Sequence, residues 1–236
     1  LDQGKVKPST VIQTAPGSLT IGHATIRDAH PGGAMTVEQV IQKSSNVGSA
    51  KIALGMAPEV LWDLFDDVGF GAPPKLGFPG EANGKLRPFK TWKPVEQATM
   101  SYGHGIAVSL VQLARAYTIF ARDGELVPLS LLRVDMPVAG RRVLAPDTAR
   151  DVRRMLEMAV QPGGTAPRAQ VMGYRVAGKT GTAHKLEGGA YAPDKYVSSF
   201  VGFAPASNPR LVIAVMVDEP SVGRYYGGQV AAPMFA

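Results

Sequence analysis

The spacing of apolar residues changes once along this chain, and that change limits the fold more than any other feature. Leu61, Leu64, Phe65 and Val68 fall at i, i+3, i+4 and i+7, an amphipathic helix opened by Pro58 and closed by Gly69. Thr36 with Gln39, and Ser109 with Gln112, have the spacing of capping boxes. The first opens a helix carrying Val37, Val40 and Ile41 on one face and stopping near Ser44-Ser45-Asn46; a second helix follows with Val47, Ala50 and Leu54 inward. The other box opens a helix through Leu113, Tyr117 and Phe120 that ends at Gly124. A further helix is predicted from Pro146 to about Val160, burying Val152, Met155, Leu156 and Ala159. Residues 71–94 are rich in proline and glycine and show no period, yet Leu76, Phe78, Leu86, Phe89 and Trp92 make them an ordered loop rather than a linker. Beyond residue 172 the pattern is strand-like: Tyr174–Ala177, Tyr196–Ala204 and Leu211–Val217, the last two joined by a turn short enough to force an antiparallel pair. Leu19, Ile21, Thr25 and Ile26 flank Gly22-His23 as a further hairpin. Helices first and antiparallel strands last give an α+β fold, a sheet covered by helices plus an all-helical lobe. The helix-rich lobe is expected over about 34–160, and the sheet-rich part over about 172–236 together with the N-terminal strands.

Composition removes several chemistries. The chain has no cysteine and four scattered histidines, so neither a thiol nucleophile nor a bound metal is expected, and no cofactor. A net charge of +6 without a basic block gives no support for nucleic acid as a partner.

Two motifs share Lys179. Gly173 to Thr180 satisfies G-x-x-x-x-G-K-[ST], the phosphate loop of nucleotide triphosphatases, and Asp218-Glu219 ends a downstream apolar run. A phosphate loop must follow a buried strand and open a helix. Residues 164–172 are no such strand, and Thr180-Gly181-Thr182 followed by Gly188-Gly189 is a poor helix start. Asp218-Glu219 then reads as a turn before Pro220. The alternative is Lys179-Thr180-Gly181, with Ser44-Ser45-Asn46 far upstream at a helix–helix junction. These are the K-T-G and S-x-N elements of the serine acyl-transferases that react with penicillin; the third, S-x-x-K, carries their nucleophile. Each triplet alone has an ordinary explanation. Ser44 and Asn46 suit helix ends, an edge-strand lysine is usually solvated, and Tyr225-Tyr226 beside two glycines can anchor a loop. Their order, separation and local structure give the set its meaning.

The wider blocks are Ile41 to Gly48, Gly77 to Glu81, Ser101 to Gly105, Ala177 to Ala183, Phe200 to Pro205 and Val217 to Pro220. Over essentially all 236 residues the sequence resembles the transpeptidase domain of class B penicillin-binding proteins, on the side of the division-specific enzymes of Gram-negative bacteria. The resemblance implies peptidoglycan cross-linking from D-Ala-D-Ala stem peptides during septal wall synthesis, and acylation by β-lactams. It implies a place on the periplasmic face of the inner membrane, with divisome membrane proteins as partners.

By the same resemblance, Ser44 relays protons between the nucleophile's lysine and Lys179, and Asn46 holds the substrate's peptide amide. Thr180 and Thr182 bind the substrate carboxylate, the backbone N–H of Thr182 is an oxyanion donor, and Gly181 lets substrate approach the backbone. Tyr102 and His104 line the cleft floor, and Tyr225 and Tyr226 form an aromatic wall. His184 stands where the family often has arginine, and His104 where it often has an aromatic hydroxyl; a histidine there would make carboxylate binding depend on pH. Thr180 and Thr182 are expected to share the cleft only if the strand twists or Gly181 kinks it. No lysine has a serine three residues before it. The nucleophile is therefore expected about ten residues upstream of Leu1, on a chain cut at both ends, and the 236 residues alone are expected to be inactive. A parent that lacks the serine and acts as a scaffold or sensor is the competing reading.

Overall fold

The computed structural model describes residues 1–136, 138–221 and 223–236. The chain opens with four short strands, β1 (Val11–Gln13), β2 (Ser18–Ile21), β3 (Ala24–Arg27) and β4 (Ala34–Thr36). They pair antiparallel as β1–β4 and β2–β3, the latter being the hairpin expected around Gly22. Helices α1 (Val37–Lys43), α2 (Asn46–Leu54), α3 (Pro58–Asp67), α4 (Pro94–Met100) and α5 (Leu110–Ala121) follow. A small pair, β5 (Glu125–Leu126) with β6 (Arg141–Arg142), leads into α6 (Pro146–Val160). The main sheet is β7 (Ala177–Glu187), β8 (Ala190–Ala204) and β9 (Leu211–Asp218), all antiparallel and in that order, and two one-turn helices close the chain, α7 (Gly227–Val230) and α8 (Ala232–Phe235).

Local chemistry sets the helix starts. Thr36 Oγ1 accepts from Gln39 N–H at 3.2 Å while Gln39 Oε1 accepts from Thr36 N–H at 2.9 Å; Ser109 and Gln112 repeat the arrangement at 3.2 and 2.7 Å. Gln112 does more than cap. Its Nε2 lies within hydrogen-bond distance of the carbonyls of Gly69, Ala72 and Asn83, its two N–H groups being shared among them, which fastens the long loop to α5. Phe78 in that loop is itself exposed.

Two expectations change, and one helix has no counterpart in the sequence reading. Leu54 is exposed, and Ala53 takes the buried position beside α4. Helix α4 has no sequence period to announce it; Gln97 holds it by donating to Ala53 O at 2.9 Å and Met56 O at 2.8 Å. Tyr174 to Val176 are not strand, because Gly173 (φ +82°) and a Tyr174 N–H bond to Val171 O turn the chain, and β7 begins at Ala177. That strand runs on through Lys179 and Thr180 to Glu187, where Gly188-Gly189 reverse it. A strand continuing past the lysine rules out a phosphate loop.

Each face of the sheet carries a buried cluster, while Leu211, Ile213 and Met216 of β9 remain exposed. Phe200 and Val176 pack with Val160, Ala231, Ala232 and Phe235 on one side; Ala177 and Phe203 pack with Leu156 and Ala206 on the other. The register pairs Thr180 with Phe200, Thr182 with Ser198 and His184 with Tyr196. The face of Phe200 therefore also carries, along β7, the two threonines and the histidine. Strand β7 is an edge, so its outer backbone groups stay open.

Phe200 is fully buried at the centre of the first cluster. Phe200→Ala is expected to lower unfolding free energy by about 3–5 kcal/mol, through lost transfer energy and the cavity left behind. Urea denaturation measures this; a loss below about 1 kcal/mol would contradict the packing described.

Candidate active site

The junction between α1 and α2 builds one wall. Ser44 caps α1 in the left-handed region (φ 58°, ψ 48°), with its N–H bonded to Ile41 O and that of Ser45 to Val40 O. Such a conformation costs a non-glycine residue free energy and persists only when its surroundings enforce it. Asp28, just after β3, anchors two of the residues that follow Ser44. Ser45 Oγ caps α2 by accepting from Gly48 N–H at 2.9 Å, and donates to Asp28 Oδ2 at 2.7 Å; Asp28 Oδ1 accepts from Val47 N–H at 2.9 Å. The Asp28 carboxylate thus sits buried at a helix N-terminus, where the helix dipole favours it. Asn46 Nδ2 donates to Arg27 O at 3.0 Å, which leaves Oδ1 as the atom it can offer to a ligand. Sequence reading missed Asp28. It lies 17 residues from Ser45, and nothing local links the two.

Strand β7 builds the other wall. Lys179 and Gly181 lie on the α6 side of the sheet, and the lysine bends round the open edge. Its Nζ donates to Ser44 Oγ at 2.8 Å, to Thr180 O at 3.2 Å and to Thr180 Oγ1 at 3.3 Å. All three partners are neutral oxygens. Desolvation accordingly pushes the ammonium down to about 8. This lysine is not the solvated edge residue that strand statistics favour.

Thr180 and Thr182 share a face through plain two-residue alternation, so neither a twist nor a kink is needed. Thr180 Oγ1 lies 2.9 Å from Thr165 Oγ1, and Thr182 Oγ1 accepts from Gly227 N–H at 2.9 Å. Because Lys179 reaches the Thr180 carbonyl, that carbonyl faces the open edge. Antiparallel alternation turns the N–H and C=O of Thr182 to the same edge. Gly181 has no room for a Cβ, which would strike Ser199 Oγ.

The remaining expected residues form two ring clusters. Tyr102 packs on Ile26, Val47, Ala50 and Ala98, and burial pushes its phenol up to about 12. His104 meets Tyr102 edge-on at 5.3 Å and Tyr191 at 5.5 Å. Burial first, and the nearby charge of His184 second, hold the His104 imidazole below its usual range. His184 Nδ1 lies 2.9 Å from Ala192 O, and its ring stands 4.5 Å from Tyr196. Tyr196 stacks on Tyr225 at 4.1 Å, and Tyr225 meets Tyr226 at 4.5 Å. Tyr191 and Tyr196 were missed, although period-two alternation back from Phe200 places Tyr196 on this face. Asp218 and Glu219 lie apart from the Ser44–Lys179 contact and ion-pair with Lys185 at 2.8 and 2.6 Å, a structural role.

An amine of lowered basicity, hydroxyls and an open backbone N–H thus converge from elements 135 residues apart. The model of the penicillin binding protein transpeptidase domain matches residues 1–236. The chain belongs to this family. It is 45% identical, over 235 residues, to the probable peptidoglycan D,D-transpeptidase PenA of Neisseria flavescens, and 40% identical to the peptidoglycan D,D-transpeptidase FtsI of Escherichia coli. Each match covers all of this chain but only 58% and 40% of the relative's length. The apo transpeptidase domain of Burkholderia pseudomallei penicillin-binding protein 3 superposes with a TM-score of 0.95 at 52% identity, over 99% of this chain and 71% of that one.

In this transpeptidase-family chain the lysine's environment makes a pH prediction. Lys179 binds its proton less tightly folded, at about 8, than unfolded, at about 10.4. Between those values the unfolded state holds more protons, so stability gains from this group as pH rises through the window. Lys179→Met removes the gain. In urea denaturation the variant should compare better with the parent sequence at pH 7 than at pH 10; a pH-independent difference would contradict a desolvated lysine.

Proposed function

We propose that the intact protein cross-links peptidoglycan by serine acyl transfer in septal wall synthesis, at the periplasmic face of the inner membrane. Divisome membrane proteins are its proposed partners. A serine hydroxyl attacks the carbonyl between the two terminal D-alanines of a stem peptide. The ester forms, the last D-alanine leaves with the proton, and an amine of a neighbouring stem displaces the serine to give the new amide. β-Lactams acylate the same serine. The contact between Lys179 Nζ and Ser44 Oγ at 2.8 Å carries the reading, because it joins the two motifs into one constellation.

The roles follow from chemistry at each position. A lysine near neutrality can pass a proton through the Ser44 hydroxyl and, when charged, attract the substrate carboxylate. Thr180 and Thr182 offer hydroxyls to that carboxylate, and the edge-facing N–H of Thr182 suits the oxyanion of the tetrahedral intermediate. Asn46 Oδ1 accepts the substrate's amide N–H. Tyr102 and His104 line the floor, and His184, Tyr225 and Tyr226 the aromatic side. The nucleophile belongs, in this proposal, to a Ser-x-x-Lys segment outside these 236 residues, since no serine of the sequence stands three before a lysine.

Fluorescent penicillin tests the proposal on two proteins. The intact parent should carry a covalent label that survives denaturation, and the isolated 236-residue chain should carry none. An unlabelled parent would favour the scaffold reading; labelling of the isolated chain would overturn the assignment of the nucleophile.

A further inference from the structure

Ser198 is a fully buried hydroxyl in the middle of β8 for which the acyl-transfer chemistry has no use. It sits directly across from Thr182 in the β7–β8 register, on the same face. The two hydroxyls bind alternate residues of one passing segment. Ser198 Oγ donates to the carbonyl of Tyr225, and Thr182 Oγ1 accepts from Gly227 N–H at 2.9 Å. The segment lies so close to the sheet that a Cβ at Gly227 would strike the carbonyls of Ser199 and Gly181. One step along the same face, Tyr196 stacks on Tyr225 with the rings inclined by only 14°.

We infer that Ser198 is a positioning residue for ligand binding: with Thr182 it latches the segment Tyr225–Gly227 onto the sheet and so fixes the ring of Tyr225 beside the carboxylate-binding threonines. The latch also sets the polarity of Thr182. With its oxygen already accepting from Gly227, that hydroxyl has its proton left to donate, which suits an anionic ligand group. Ser198 itself touches no ligand. It acts through Tyr225, so its loss should loosen binding and leave the acylation step alone. The inference rests on the proposed function, because it assumes that Tyr225 contacts the ligand.

The variant Ser198→Cys keeps the side-chain shape, adds a little volume, and replaces a strong donor with a weak one, so the bond is weakened without leaving a cavity. In the intact parent, stopped-flow acylation by a β-lactam bearing an aromatic side chain separates the binding constant from the acylation rate constant. Ser198→Cys should raise the dissociation constant about three- to tenfold, the worth of one hydrogen bond, with the acylation rate constant unchanged. In a Tyr225→Ala background the same substitution should add nothing, since the ring it positions is gone. A dissociation constant equal to wild type, or an effect that persists in Tyr225→Ala, would overturn the inference. If Ser198→Cys does not fold, Ser198→Ala read in the same two backgrounds gives the same decision. Wild-type parent that is not acylated at all would instead remove the functional reading beneath it.

Discussion

The structure turns on one hydrogen bond, from Lys179 Nζ to Ser44 Oγ. An ammonium on an edge strand would ordinarily reach into water. Here it bends back across the strand's open side, and its partners are a hydroxyl, a carbonyl and a second hydroxyl, none of them charged. Three neutral acceptors satisfy the donors without neutralising the charge, so desolvation stays uncompensated and the amine moves toward neutrality. A carboxylate in the same place would have done the reverse. The contact also fixes geometry, since the helical part of the chain and the main sheet must meet at one distance for it to form.

Much of the remaining polar structure holds the two partners of that bond. On the serine side, the buried Asp28 carboxylate binds Ser45 and the Val47 N–H and so anchors the residues that follow the left-handed turn at Ser44. Gln97 ties the far end of the same helix to α4, which leads into the loop carrying Tyr102 and His104. On the lysine side, Thr165 meets Thr180, and the hydroxyls of Thr182 and Ser198 hold the segment from Tyr225 to Gly227. Breaking a buried network of this kind costs more than a single exposed bond, because each orphaned group keeps its desolvation penalty. The sequence uses glycine where these elements touch. Gly48 lies against Val40, Gly181 against Ser199, and Gly228 against Thr165.

The amino-acid pattern made the capped helices and the β8–β9 hairpin legible, because caps and short turns are local signals. It also placed Ser44, Asn46, Lys179 and Thr182 near one another, through motif order rather than through any computed geometry. What it could not show was set by distant partners. Helix α4 depends on Gln97 reaching the Ala53 carbonyl at the end of α2 and the Met56 carbonyl just beyond it, and Ala53 rather than Leu54 is buried there. The junction after Ser44 depends on Asp28 holding Ser45 and Val47, and the lowered basicity of Lys179 on desolvation among neutral partners. Tyr174 to Val176 look like strand by composition, but a glycine turn overrides the preference. At Tyr174 a local turn outweighs composition; in the other instances a contact between residues far apart in sequence outweighs a local tendency.

The central claim is that Ser44 and Lys179 act as one unit. A double-mutant cycle in the intact parent tests it, with β-lactam acylation rates for Ser44→Ala, Lys179→Gln and the pair. If the hydrogen bond couples them, the double variant is no slower than the slower single variant, and the deficits do not add. Fully additive losses would mean that the two side chains work independently, and would contradict the account.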